Sequence, residues 1–383
     1  MWQNGSDAGD ANAMGNLAMC YEKGFEVEQN KKKAFELYQH ASDLGNIDAI
    51  LCLASCYDNG GGVKQDKKKA TELLQRASDM GSDEAMVTLG ERYENGEGVD
   101  KDITKAIDLY RRASDMDNVD AMFNLALCYE SGDGVIQDKK KATELYQRAS
   151  DLGNDDAMVK LGECYEYGEG VDQDKKKAFE LYQRALIVDN TDAISHIALC
   201  YDNGDGVKQD KKKAFVLYQR ASDMGNAGAM CSLGACYYNG SGVEEDKKKA
   251  AELYKRASDL GNADATCNLG VCYENGSGVE EDKKKAFELY QRASDMGDTY
   301  AIYCLGVCYY NGFGVEEDKK KAFQLYQKAS DFGNEHAVYC LGVCFENGFG
   351  VEEDTEKAFE LYKRASDMGN SRAKEALSRL GLN

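Results

Sequence analysis

The apolar and small residues between positions 262 and 297 fall into two helical stripes. Ala265, Leu269, Cys272 and Gly276 follow a 3/4 spacing, which sets them on one side of a helix. Asn262 precedes this stripe where an N-cap belongs, and Gly276 stands where a left-handed C-terminal cap would sit. A second stripe, Ala286, Leu289, Tyr290 and Ala293, is preceded by Asp282 and ended by Gly297. Between the two, Gly276-Ser277-Gly278-Val279 is a tight connection that needs glycine's backbone freedom. The pattern predicts two helices of roughly a dozen residues, folded as an αα-hairpin.

This unit is copied along the whole chain. Gly24, Gly60, Gly96, Gly132, Gly168, Gly204, Gly240, Gly276, Gly312 and Gly348 are spaced by 36 residues without a break. A fixed period of that size marks a solenoid or array, because one hairpin cannot bury its own apolar face and neighbours must stack on it. Small residues support the stacking. Gly270 sits in the first helix, and alanine is kept at 34, 70, 106, 142, 178, 214, 250, 286, 322 and 358 in the second, where a bulky side chain would hold helices apart.

The repeated string Ala-x3-Leu-Gly-x2-Tyr-x2-Gly-x-Gly-Val-x2-Asp-x2-Lys-Ala-x3-Tyr-x2-Ala resembles the Sel1-like repeat, a relative of the tetratricopeptide repeat. The resemblance recurs ten times over nearly the whole chain. It implies an all-α fold, a right-handed α/α superhelical solenoid whose first helices line the concave face. The expected organisation is a single domain over 1–383. Within it, residues 1–9 are a partial N-terminal helix with Trp2 in the Tyr38 column, 10–369 are ten repeats, and 370–383 are a capping helix carrying Ala373, Leu377 and Leu380. Repeat three departs at Ile103-Thr104-Lys105, and repeat five ends in Leu186-Ile187-Val188-Asp189 instead of a polar turn. That end reads as a local packing variation, with a kink or dimer contact as the sharper alternative.

Composition narrows the chemistry. The chain has 383 residues, no proline and a formal net charge of −21. Excess acid disfavours nucleic acid, which needs clustered Lys and Arg, and favours basic partners. No apolar span of membrane length or signal peptide is visible, so membrane association is expected only through a partner, and a cytoplasmic location is expected. Nine of fourteen cysteines share one column (20, 56, 128, 164, 200, 236, 272, 308 and 344), with Arg92 in the remaining repeat. That column is expected to be core packing by free thiols. Relatives of the cysteine-rich bacterial subgroup bridge columns that here hold Ser42, Ser78 and Ser114 or Met14, Ile50 and Met86, which points to a reducing compartment. The three histidines, at 40, 196 and 336, do not repeat, so no metal, cofactor or catalytic set is assigned. The Lys-Lys-Lys run opening the second helix in eight repeats reads as a solvated stripe, screened by the carboxylates before it.

The candidate site lies on the first helices, by analogy with tetratricopeptide repeats. Asp48, Asp58, Glu84, Glu91, Glu94, Asp120, Glu130, Asp156, Glu163, Glu166 and Asp192 make the early columns acidic, whereas the late repeats carry Tyr238, Tyr300, Tyr303, Tyr310, His336 and Tyr339, with Phe313 and Phe349 in adjacent loops. Clustered exposed aromatics anchor partners. The expected function is a non-enzymatic scaffold or adaptor holding a protein or peptide with apolar or aromatic anchors and basic residues. The alternatives are a passive structural array and a hydrolase like that proposed for the cysteine-rich relatives.

Overall fold

A computed structural model describes residues 9–188 and 190–379. Most of the predicted N-terminal half-helix, with Trp2, and Leu380 of the C-terminal cap lie outside the described residues. Twenty-one α-helices and no strand are present among those described, and all but two of the helices run thirteen residues. The fold is an all-α solenoid of hairpins, as the 36-residue period requires.

Each hairpin is fixed by local chemistry. In repeat two the first helix is Ile47–Asn59, capped by the Asn46 side chain, which accepts the Ala49 N–H at 2.7 Å, and closed by Gly60 at φ 70°. The second helix, Lys67–Asp79, starts at Asp66, whose carboxylate accepts the Lys69 N–H at 3.0 Å. The alanine columns are where the helices meet, and Ala34, Ala70, Ala142 and Ala214 are buried. The loop glycine two residues after the cap is held by the neighbouring repeat. Gly278 has φ 75°, and a Cβ there would collide with the Lys247 carbonyl at the start of the preceding second helix.

The chain divides into two compact units, 1–190 and 191–383. In the first, repeats one to five build a core around Tyr38, Tyr110, Tyr146 and Tyr182, each essentially inaccessible. The phenols of all four donate to a carboxylate sixteen residues earlier on the first helix: Glu22 at 2.9 Å, Glu94 at 2.8 Å, Glu130 at 2.7 Å and Glu166 at 2.7 Å. Repeat two lacks this tyrosine and has Leu74. Its acid, Asp58, instead meets Arg92, which also donates to Thr71 Oγ1 at 3.0 Å and the Lys67 carbonyl at 3.2 Å. Repeat five ends in a 3₁₀ turn, Leu186–Val188, with Ile187 turned outward. Asp189 lies outside the described residues.

In the second unit, repeats six to ten are closed by Ser371–Arg379. Tyr290 and Tyr362 keep the carboxylate bond, to Glu274 and Glu346. Repeats are tied to one another by side chains reaching back one unit. Arg292 donates to the Ser258 carbonyl at 2.7 Å and Arg364 to that of Ser330 at 3.2 Å, occupying the open C-terminal end of the preceding second helix.

The lysine run is mostly exposed and pairs with the carboxylates before it, as Lys283 with Glu281 at 3.4 Å, but it also makes contacts that the sequence did not show. Its third member lies over the ring of the same hairpin's first helix in repeat after repeat, as with Lys33 over Tyr21 at 4.3 Å, Lys177 over Tyr165 at 4.1 Å and Lys285 over Tyr273 at 4.2 Å. The geometry is that of a cation–π contact. Its first member reaches the following repeat's loop, pairing Lys139 with Glu169 at 2.7 Å and setting Lys319 over Phe349 at 4.6 Å.

Candidate functional site

The candidate residues separate into three groups. Tyr300, Tyr303 and His336 come together near the N-terminal ends of Thr299–Asn311 and Glu335–Asn347. Ring centroids are 5.6 Å apart for Tyr300 and Tyr303, 5.6 Å for Tyr303 and His336, and 6.4 Å for Tyr300 and His336. Tyr300 is 46% exposed and His336 is exposed, whereas Tyr303 is half-buried. Tyr339 repeats the Tyr303 position one unit on. It leans on Tyr362 at 5.6 Å, as Tyr303 leans on Tyr326 at 6.2 Å. Each ring therefore has one face in the core and an edge available outside. Burial pushes the Tyr300 hydroxyl up to about 12, so it remains a neutral donor at physiological pH. Asn370 Nδ2 stands 3.2 Å from His336 Nδ1 and holds that ring in place.

Tyr238, Tyr310, Phe313 and Phe349 belong to a different region, at the loop ends of the hairpins. Tyr310 and Phe349 meet edge-to-face at 5.7 Å, and Lys319 lies over both, at 5.8 and 4.6 Å. Lys283 covers Phe313 at 4.6 Å and Lys247 covers Tyr238 at 5.5 Å. All four are half-buried. Tyr238 and Tyr310 stand in the column that elsewhere supplies the carboxylate to the buried tyrosine, so their appearance removes a structural acid. The acids expected to face a groove at Asp58, Glu94, Glu130 and Glu166 are engaged internally, with Arg92, Tyr110, Tyr146 and Tyr182.

Glu91 and Glu163 make the third group, in the first unit. Glu91 is exposed as a whole and accepts from Asn124 Nδ2 at 3.5 Å, while partial desolvation of its carboxylate raises it above the usual range. Glu163 pairs with Lys160 at 2.7 Å.

Two features were not found from sequence. Leu44, Met80, Met116 and Leu152 in one unit, and Met224, Leu260, Met296 and Phe332 in the other, expose an apolar side chain where each second helix ends. Their 36-residue spacing was legible, but the polar turns around them concealed it. Arg372, exposed on the closing helix, occupies the column of Tyr300 and His336 and bears electrostatically on Tyr303 and Cys340.

The family model for the Sel1 repeat matches residues 11–46, 48–82, 83–118, 119–154, 155–186, 191–226, 227–262, 263–298, 299–334 and 336–370. The chain belongs to the Sel1 repeat family. Among solved structures, this Sel1 repeat protein is similar to c5321 of uropathogenic Escherichia coli, described as a protective antigen displaying an SLR fold. The identity is 28% and the TM-score 0.70, over 100% of this chain and 83% of that one. It also resembles a Sel1 repeat protein of Oxalobacter formigenes at 28% identity and TM-score 0.53, over 81% of this chain and 90% of that one. No curated protein matches it in sequence. Among the described residues no three His, Cys, Asp or Glu side chains converge as a metal set, and no helix is long and apolar enough to cross a membrane.

Proposed function

We propose that this Sel1 repeat protein is a non-enzymatic interaction scaffold whose second unit holds a peptide segment of a partner protein on its first-helix face. The observation carrying this reading is the mutually supported group of exposed Tyr300 and His336 with half-buried Tyr303 between them. Packing from beneath limits the entropy lost when a partner binds, and tyrosine combines a large apolar surface with a polar tip. An apolar or aromatic side chain fits over these rings, and Tyr339 offers an equivalent position one repeat on. The net charge of −21 favours basic residues elsewhere in the partner. None of the fourteen cysteines is joined in a disulfide, which suits a reducing compartment such as the cytoplasm.

Selection from a random peptide library on the immobilised full chain tests the proposal. Recovered peptides should share an apolar or aromatic anchor and bind the Tyr303→Ala/Tyr339→Ala variant at least thirtyfold more weakly. A selection without enrichment would instead favour a passive array.

A further inference from the structure

The first-helix face of the second unit changes its hydrogen-bonding character along its length. One column reads Asp192, Gly228 and Asp264 in repeats six to eight, then Tyr300, His336 and Arg372 at the end. A carboxylate only accepts hydrogen bonds, whereas a guanidinium only donates them. The acid of this column, where present, receives the amide of the next capping asparagine, as Asp192 Oδ1 receives Asn226 Nδ2 at 2.8 Å.

In repeat ten His336 stands in for that acid. Asn370 is buried, and the Ala373 N–H donates to its side-chain oxygen at 3.1 Å. That bond fixes which way the amide is turned. The Asn370 nitrogen, a donor only, therefore faces His336 Nδ1 at 3.2 Å. Nδ1 must accept, so the imidazole proton is on Nε2, on the side of the ring away from Asn370.

Arg372 adds a charged donor on the same face. Its helix packs there, with Tyr339 resting in a cluster that includes Ala373. Its charge is felt by Tyr303 and by Cys340, whose thiol burial pushes up to about 12 while Arg372 opposes the rise. Arg379 on the same helix is held by Glu346 at 2.6 Å, but among the described residues no carboxylate lies within ion-pair distance of Arg372.

We propose that the segment bound over Tyr300, Tyr303 and His336 carries an aspartate or glutamate close to its aromatic or apolar anchor, and that His336 Nε2 and the Arg372 guanidinium hold its carboxylate. A side-chain carboxylate accepts from both donors, and its pairing with arginine is charge-assisted. The anchor supplies apolar contact, and the acid fixes which end of the segment lies toward the closing helix. This inference rests on the peptide-binding reading and adds a charged position to that site.

The probe is a peptide selected from the random library on the immobilised full chain, then titrated against purified variants. Selected peptides should share an acid at a fixed separation from the anchor. Replacing that acid by its amide should weaken binding at least about tenfold, and Arg372→Gln should do the same. The two changes together should cost little more than either alone, because each removes the same contact. Selection on Arg372→Glu should return lysine or arginine at the position of the acid. Arg372 is exposed, so circular dichroism should show the same helicity in its variants. Peptides that need Tyr303 and Tyr339 but share no acid, or that bind Arg372→Gln within about twofold of wild type, would overturn the inference and leave the peptide-binding reading standing. So would full additivity of the peptide and protein changes. A selection that yields no peptide requiring the tyrosines would overturn both.

Discussion

Replacing Arg92 with leucine should destabilise repeats two and three more than any surface change. The Arg92 side chain is 6% exposed and Asp58 25% exposed, and the guanidinium also serves Thr71 Oγ1 and the Lys67 carbonyl. Removing one member of a buried ion pair typically costs about 3–5 kcal/mol, because the other charge is left without compensation. Asp58 regains some water, so the lower end, about 3 kcal/mol, is the expected cost. Asp58→Asn in the leucine background should recover about 2 kcal/mol, since the stranded charge is then gone. A solenoid need not unfold in one step, so the readout is amide hydrogen exchange within Lys67–Asp79 and Asp83–Asn95. A 3 kcal/mol loss corresponds to roughly a hundredfold faster exchange there. Acceleration below about fivefold, or no recovery on adding Asp58→Asn, would refute the assignment of Arg92 as the counterpart of a buried acid.

Tyr146→Phe removes the 2.7 Å bond to Glu130 inside an otherwise unchanged core, and should cost about 2 kcal/mol in urea unfolding; a loss under about 0.5 kcal/mol would show the phenol bond to be incidental. Asp298 caps its helix where most other repeats have asparagine, and burial together with the facing Asp264 raises its carboxyl. A carboxyl raised on folding stabilises most when protonated, and that contribution fades as pH climbs through its folded value. Asp298→Asn should therefore become more stabilising as pH rises from 4 to 7, whereas a pH-independent difference would contradict it. The Cys272 and Cys344 thiols, pushed by burial up to about 11 and about 12, should resist a thiol reagent at pH 8 until the protein is denatured; rapid native labelling would count against a closed core.

The 36-residue period made the hairpins, caps and alanine contacts legible, because each is set by residues close together in sequence. The direction in which a column faces was harder to read. Glu94, Glu130 and Glu166 were expected to line a groove because they share a helix with variable positions, yet each turns to the tyrosine sixteen residues later. The signal was present: the repeat whose tyrosine is lost, at Leu74, is followed by the one repeat with arginine in the cysteine column. Tyr238 and Tyr310 were grouped with Tyr303 for being aromatic. Their column lies at the loop end, seven residues further along the first helix, and the lysines that cover them come from the second helix.

The central claim is that the aromatic face of repeats nine and ten binds a partner segment. Its most direct test is the affinity of one library-selected peptide for the wild-type chain and for Tyr303→Ala/Tyr339→Ala, with circular dichroism confirming that both are folded. Loss of a central aromatic anchor costs about 2 kcal/mol or more, so affinity should fall at least about thirtyfold while helicity is retained. Unchanged affinity in a folded variant would mean that these rings serve only the packing of the solenoid.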